Sequence, residues 1–298
     1  MLSNGFVVVD EMRNRKSYDG ATEKFGITVD NEDYIVKFSS SGLTSELYSE
    51  YVGSRFIRNL GIPCHETAIG YYGQRMVVLL KDFISDGCEL RTFKHAMQSS
   101  GELELVYSNY TISTIVSLIN SSVNMTDDVK KSIEDRFWAM LVCDAILGND
   151  DRHWGNWGYL VSADGYRPAP IYDNARSLYY DIGIGVQDYL RDKASFLESR
   201  TCRHPSPQLR SSHAKNKRLN YNTLFGDTKI SECVSTLLAD LSLHKVYMAI
   251  TAACDYVPDP YKDFYTRLVC VRYLRILERL DMKEAYSQVC REVENGAS

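Results

Sequence analysis

The order of apolar and polar positions divides the chain near residue 83. Before it, short apolar runs predict strands. Phe6–Val9 is one, closed by Asp10 and Glu11. Phe25–Val29 and Tyr34–Phe38 flank Asp30-Asn31-Glu32-Asp33, a hairpin signal. In the second of these strands Tyr34, Val36 and Phe38 share one face, and Ile35 and Lys37 share the other. Residues 44–60 carry Leu47, Tyr51, Phe56, Ile57 and Leu60 at helical spacing, and Gly61 with Pro63 ends that helix. Met76–Leu80 predicts a buried strand running into Lys81-Asp82-Phe83.

Beyond residue 84 the pattern turns helical. Thr126 is placed to cap a helix whose first turn holds Asp127 and Asp128, the favoured charge at that end. Ile133, Phe137, Met140 (or Leu141) and Ile146 continue its apolar face to Gly148. A short hairpin is expected next, Trp157–Val161 with Pro168–Tyr172, and the tail from Ile230 to Val293 reads mainly as helix. The fold class is therefore α+β, with a small antiparallel lobe over residues 1–83 and a mainly helical lobe over 84–298.

Charge and composition then exclude several classes. A net charge of -5 argues against direct binding of nucleic acid, which needs excess cations to neutralise phosphate. The eight cysteines form no CxxC pair, so reduced thiols are expected rather than zinc ligation. Apolar runs such as Met76–Leu80 are far short of a membrane span, and no signal-peptide core precedes Asp10. A cytoplasmic protein is expected, or one exported by a non-Sec route, with no membrane partner. Residues 191–218 differ from their surroundings, with eight Lys or Arg against two acids. They read as a solvated loop or as a basic rim for an acidic or phosphorylated partner.

Three segments carry candidate chemistry. Phosphoryl transfer needs a cation on the ATP phosphates, a carboxylate to orient the attacking hydroxyl and oxygen ligands for magnesium. The stretch Gly148-Asn149-Asp150-Asp151-Arg152-His153-Trp154-Gly155-Asn156 offers a carboxylate and an amide between a helix and a strand. If Asp164 and Gly165 form a two-residue turn, the same register sets Asn156 opposite Asp173, two oxygen donors suited to Mg²⁺. As turn caps, Asp151 and Asp173 would have no chemical role. Lys37 stands in an apolar strand where a charge needs a partner, with Glu50 as candidate and Glu46 as rival. Gly20-Ala21-Thr22-Glu23-Lys24 precedes the first hairpin strand as a glycine-poor candidate phosphate loop.

Together, Tyr34–Phe38, Ser49–Val52, Val78–Phe83, Leu147–Gly158 and Ala169–Asp173 resemble the HipA-like kinases, most closely the compact CtkA type. The resemblance runs from about residue 5 to 180 and is carried most strongly by Asp151–Asn156. It implies a two-lobed, autophosphorylating serine/threonine protein kinase dependent on ATP and Mg²⁺. Lys37 would contact the phosphates with Gly20, Ala21, Thr22 and Lys24, and Glu50 would steady Lys37. Leu80, Lys81 and Phe83 would form the hinge against adenine. Asp151 would be the catalytic base, with His153 a structural part of its loop, and Asn156 and Asp173 would bind magnesium. Ser17, three residues before Gly20, would be the autophosphorylation site. A protein substrate and a small antitoxin-like partner are implied, although the resemblance leaves out the N-terminal subdomain of full-length HipA. The DRHxxN element, Asp151–Asn156, also resembles phosphoinositide kinases, which keeps a lipid kinase open beside a nucleotide-binding pseudokinase.

Overall fold

The computed structural model describes residues 2–18, 22–84, 87–99, 110–181, 186–200, 236–239 and 241–280. Gly20, Ala21 and the 201–218 part of the basic segment lie outside them. The chain forms two compact units. One gathers Met1–Phe83, Pro170–Arg200 and Lys245–Val269, and the other Ile84–Ala169, Thr201–His244 and Cys270–Ser298. The first unit thus adds to residues 1–83 two segments from further along the chain.

The first unit is built on five strands in the order β1-β4-β5-β3-β2. They are β1 (Phe6–Val8), β2 (Lys24–Val29), β3 (Glu32–Lys37), β4 (Thr67–Tyr72) and β5 (Arg75–Lys81). Only β1 runs parallel to its neighbour, β4. The β2–β3 turn is tighter than the expected four residues. Val29 pairs with Glu32, leaving Asp30 and Asn31 alone at φ 50° and 64°. Left-handed geometry at both turn residues matches the twist of the flanking strands, and Asp and Asn tolerate it. β4 was not anticipated, because Gly70 breaks its pattern. A Cβ there would stand 2.8 Å from both the Phe6 carbonyl oxygen and Leu79 Cδ1, so the glycine is what lets β1 and β5 close in.

One face of this sheet buries Ile27, Tyr34, Val36, Phe38, Ala68, Val77 and Leu79. Helix α1 (Thr44–Asn59) lies against β4 and β5. Its stripe of Leu47, Tyr51, Phe56 and Ile57 is buried as the spacing predicted, and each such side chain contributes about 1.5–3 kcal/mol. Its start is held by Glu46, whose carboxylate accepts from Ser39 Oγ at 2.7 Å, Ser40 Oγ at 2.6 Å and the Ser41 amide at 2.9 Å. Past α1, Ile171 N–H donates to Pro63 O at 2.9 Å and His65 N–H to Ile171 O at 3.0 Å. This bridge stitches the chain after α1 to the segment carrying Asp173.

The second unit holds the sheet β6 (Glu89–Thr92), β7 (Gly158–Ser162) and β8 (Gly165–Pro168). Its helices include α2 (Phe93–Ser99), α3 (Ile112–Ser121) and α4 (Asp127–Leu147). Thr126 Oγ1 caps α4 by accepting from the Val129 amide at 3.4 Å, and Gly148 ends the helix in the left-handed region at φ 68°. Trp157 centres the packing, 4.3 Å from the Phe93 ring and 5.0 Å from Phe137.

The β7–β8 register corrects the expected hairpin. Ser162 pairs with Gly165, so the turn is Ala163–Asp164 rather than Asp164–Gly165. The ladder ends at Tyr159 with Pro168, and Asn156 and Asp173 are not ladder partners. Pro168 and Pro170 have no amide proton with which to extend it.

Helices α5 (Val186–Arg191) and α6 (Lys193–Glu198) follow, and the tail is helical in α7 (Leu243–Ala253) and α8 (Asp259–Arg279), interrupted before Pro258. Among the described residues the cysteines are free, and no helix is long and apolar enough to cross a membrane.

Candidate functional site

Lys37 ends β3 with its side chain 10% exposed, and Glu50 on α1 is fully buried beside it. Nζ donates to Glu50 Oε2 at 2.7 Å and to Asp173 Oδ1 at 2.8 Å. Glu50 rather than Glu46 is therefore the partner, since the Ser39–Ser41 loop already occupies Glu46. Burial opposes the charge on Lys37, but Asp173 and Glu50 outweigh it and hold the ammonium well above the ordinary lysine value. Burial likewise opposes ionised Glu50, yet Lys37 and His65 keep its carboxyl far below the usual carboxylate range.

Glu50 also serves a second segment. Its Oε1 accepts from the Asn174 amide at 2.7 Å and lies 3.2 Å from His65 Nε2. Asp173, one residue earlier, takes φ 59°, a left-handed backbone that Asp adopts uncommonly. One carboxylate thus grips both the lysine and the turn that presents Asp173. Asn174 and His65 went unnoticed in the sequence, because a single Asn and a single His after a proline carry no spacing signal.

The other expected nucleotide-binding residues of this unit are spread along the sheet. Leu80 is buried in β5, opposite Ile35 and Thr67. Lys81 is tied by Nζ to Glu32 Oε1 at 2.5 Å, and Phe83 lies 5.6 Å from the Tyr172 ring. Thr22 precedes β2, and Lys24 opens β2 paired with Lys37 through the backbone. Ser17 is exposed between two anchors on Asp82 Oδ2, Lys16 Nζ at 3.3 Å and the Tyr18 hydroxyl at 3.0 Å.

The Asp151–Asn156 loop belongs to the second unit, where another buried carboxylate organises it. Asp144 near the end of α4 is fully buried and receives Arg152 in a fork, Nε to Oδ2 at 2.7 Å and Nη2 to Oδ1 at 2.9 Å. Asn149 Nδ2 donates to Asp144 Oδ1 at 3.0 Å, and Asn149 Oδ1 accepts from the Asp151 amide at 3.0 Å. Arg152 Nη1 donates to Asn156 O at 2.8 Å, and Asn156 Nδ2 to Asp151 O at 3.0 Å. His153 Nδ1 accepts from the Gly155 amide at 3.0 Å. Arg272 Nη1 donates to Leu147 O, and a Cβ on Gly148 would stand 2.3 Å from that guanidinium. The sequence did contain a signal for Asp144: a carboxylate inside the apolar run Leu141–Leu147 demands a partner.

The expected metal ligands are both oxygen donors. With its amide nitrogen bonded to Asp151 O, Asn156 offers its oxygen to a ligand, and Asp173 offers a carboxylate 37% exposed. Asn156 lies in the second unit and Asp173 in the first, and each is the oxygen-donor type that Mg²⁺ prefers. Among the described residues no cluster of three or more His, Cys, Asp or Glu forms an all-protein cage.

Two outcomes are expected. Asp144→Ala should lower denaturant-unfolding stability by roughly 3–5 kcal/mol, the penalty for stranding a buried charge, and Asp144→Asn by less. The pH dependence has two limbs. The lowered Glu50 pKa contributes stability that is full above 4.5 and is lost as pH falls. The raised Lys37 pKa contributes stability that is full below 10.5 and is lost as pH rises. Thermal scans should show the melting temperature falling outside this window, with the acid limb flattened in Glu50→Gln.

Comparison with known proteins adds family identity to this geometry. The HipA-like C-terminal domain family matches residues 16–230. Serine/threonine-protein kinase CtkA of Helicobacter pylori (strain J99) is 27% identical over 299 aligned positions, 93% of this chain and 90% of that protein. A crystal structure of a Helicobacter pylori proinflammatory kinase CtkA matches with TM-score 0.78 at 25% identity, covering 96% of this chain and 98% of that one. A Shewanella oneidensis MR-1 complex of toxin–antitoxin proteins HipA and HipB with operator DNA matches at TM-score 0.48 and 14% identity, covering 92% and 67%. The expected α+β, two-lobed kinase-like fold class agrees with the CtkA likeness. The family assignment and the fold point the same way, and the chain belongs to the HipA-like C-terminal domain family.

Proposed function

We propose that this chain is a serine/threonine protein kinase that uses ATP and Mg²⁺. The observation that carries the reading is the buried Lys37–Glu50 pair, whose lysine also bonds Asp173, in a relative of a serine/threonine kinase. A cation held above its ordinary pKa at a strand end can bind phosphate oxygens while a carboxylate fixes its direction. Leu80, Lys81 and Phe83 border adenine in this reading, and Thr22 and Lys24 flank the phosphates with Gly20 and Ala21. When bound, magnesium neutralises charge on the phosphate oxygens, and Asn156 with Asp173 would hold it.

Asp151 orients the serine or threonine hydroxyl of a protein acceptor and accepts its proton as the oxygen bonds to the γ-phosphorus and ADP leaves. Its loop is tied in place: Asn149 and Arg152 both donate to Asp144, the Asp151 amide donates to Asn149, Arg152 donates to Asn156 O, and Asn156 donates to Asp151 O. His153 closes the turn through Gly155.

Purified protein with Mg-ATP and a generic protein acceptor should place phosphate on serine or threonine. Asp151→Asn should cut the rate by roughly 10²–10⁴-fold with an unchanged melting temperature. Wild-type rates in that variant would remove Asp151 from the role of base. A wild type that binds ATP without transfer would instead be a pseudokinase.

Ser17 is the proposed autophosphorylation site. Phosphate there adds about -1.5 to -2 charges beside Lys16 and Tyr18, whose anchors are Asp82 and, for Lys16, Asp33 at 2.8 Å. Repulsion from those carboxylates loosens the segment. Mass spectrometry after incubation with ATP should find phosphoserine at Ser17, and its absence would refute this site.

A further inference from the structure

His65 and Ser54 have no part in the chemistry described above, yet both are buried against Glu50. His65 is 4% exposed and Ser54 fully buried. His65 Nε2 lies 3.2 Å from Glu50 Oε1 and 2.8 Å from Ser54 Oγ. The same Ser54 oxygen accepts from Asn174 Nδ2 at 2.9 Å. The contacts decide where the imidazole proton sits. An unprotonated Nε2 would turn its lone pair toward an ionised carboxylate in a buried site, where like-signed density is costly. A proton on Nε2 instead serves both Glu50 Oε1 and Ser54 Oγ.

The arrangement resolves Glu50 into two ends. Oε2 faces Lys37 at 2.7 Å, and Oε1 faces the Asn174 amide at 2.7 Å and His65. A carboxylate held at Oε2 alone can pivot on that contact, keeping the lysine while releasing Oε1. Lys37 holds the Asp173 carboxylate directly at 2.8 Å, but of Lys37 and Glu50 it is Glu50 Oε1 that holds the Asn174 amide. The second grip must come from the other side, and His65 and Ser54 supply it. The backbone is enlisted as well, since His65 N–H donates to Ile171 O, two residues before Asp173.

We propose that His65 is a positioning residue: its Nε2–H, backed by Ser54, orients Glu50 Oε1 toward the Asn174 amide and so sets the backbone turn that presents Asp173. It acts through Glu50. Its importance for phosphate transfer rests on the kinase reading, while the tether itself is a property of the nucleotide-free protein.

Amide hydrogen exchange by NMR on the nucleotide-free full chain tests it, following Asn174 with Val36 in the buried sheet as control. His65→Leu should speed Asn174 exchange about tenfold, the scale of one lost hydrogen bond to a charged group, and leave Val36 unchanged. His65→Gln, whose side-chain amide can stand where the ring Nε2–H stood, should restore slow exchange. Unchanged Asn174 exchange in His65→Leu would overturn the proposal, as would equal acceleration at Val36, the mark of general loosening. Should His65→Leu fail to fold, His65→Phe keeps a ring of similar shape without the nitrogens, and unchanged Asn174 exchange there overturns the proposal equally. Phosphate transfer is measured on the same samples. A wild type with a protected Asn174 amide and no transfer sinks the kinase reading alone, whereas an active wild type with a His65-independent Asn174 amide sinks the tether alone.

Discussion

Glu50 is the constraint on which the first unit's chemistry depends. A lysine nine-tenths buried in a sheet is tolerable only with a partner, and Glu50 supplies it from the facing helix. The pairing does more than neutralise charge. Because Glu50 has two oxygens and its surroundings differ at each, it joins three parts of the chain: the end of β3, the middle of α1 and the turn after Tyr172. Breaking it strands a charge on each side, so the geometry is defended by the cost of its loss rather than by a large net gain.

The second unit solves a similar problem by similar means. Asp144 is buried at the end of α4, and the Arg152 fork and Asn149 amide close around it. Asn149, Arg152 and Asn156 thereby tie the Asp151–Asn156 loop to itself and to Asp144. Gly148 makes this possible, since its left-handed backbone and missing side chain leave room for Arg272 against Leu147.

Legibility in the sequence followed how local each signal was. Lys37 stood out because its strand is otherwise apolar, and Glu50 was a candidate because it follows on the next helix. The choice between Glu50 and Glu46 needed the fold, since nothing local says that Ser39, Ser40 and Ser41 turn back on Glu46. Thr126, Gly148 and the α1 stripe were readable because caps and helical spacing act within a few residues. The β7–β8 register was misread by two residues, because Ala163–Asp164 forms the turn and Gly165 takes φ 110° just after it. β4 was missed because its glycine answers to Phe6 and Leu79, both distant in sequence. His65, Ser54 and Asn174 were invisible for the same reason: each matters only through residues brought near by folding.

In the kinase reading, Lys37 and Glu50 work as one unit in phosphate transfer. The most direct test is a double-mutant cycle on the rate of Mg-ATP-dependent phosphate transfer, using Lys37→Met, Glu50→Gln and both together. Groups that act as a unit are strongly non-additive, so the double variant should be no slower than the slower single variant. Losses that multiply across the two substitutions, or a Glu50→Gln protein that transfers phosphate at the wild-type rate, would show that the two residues act separately.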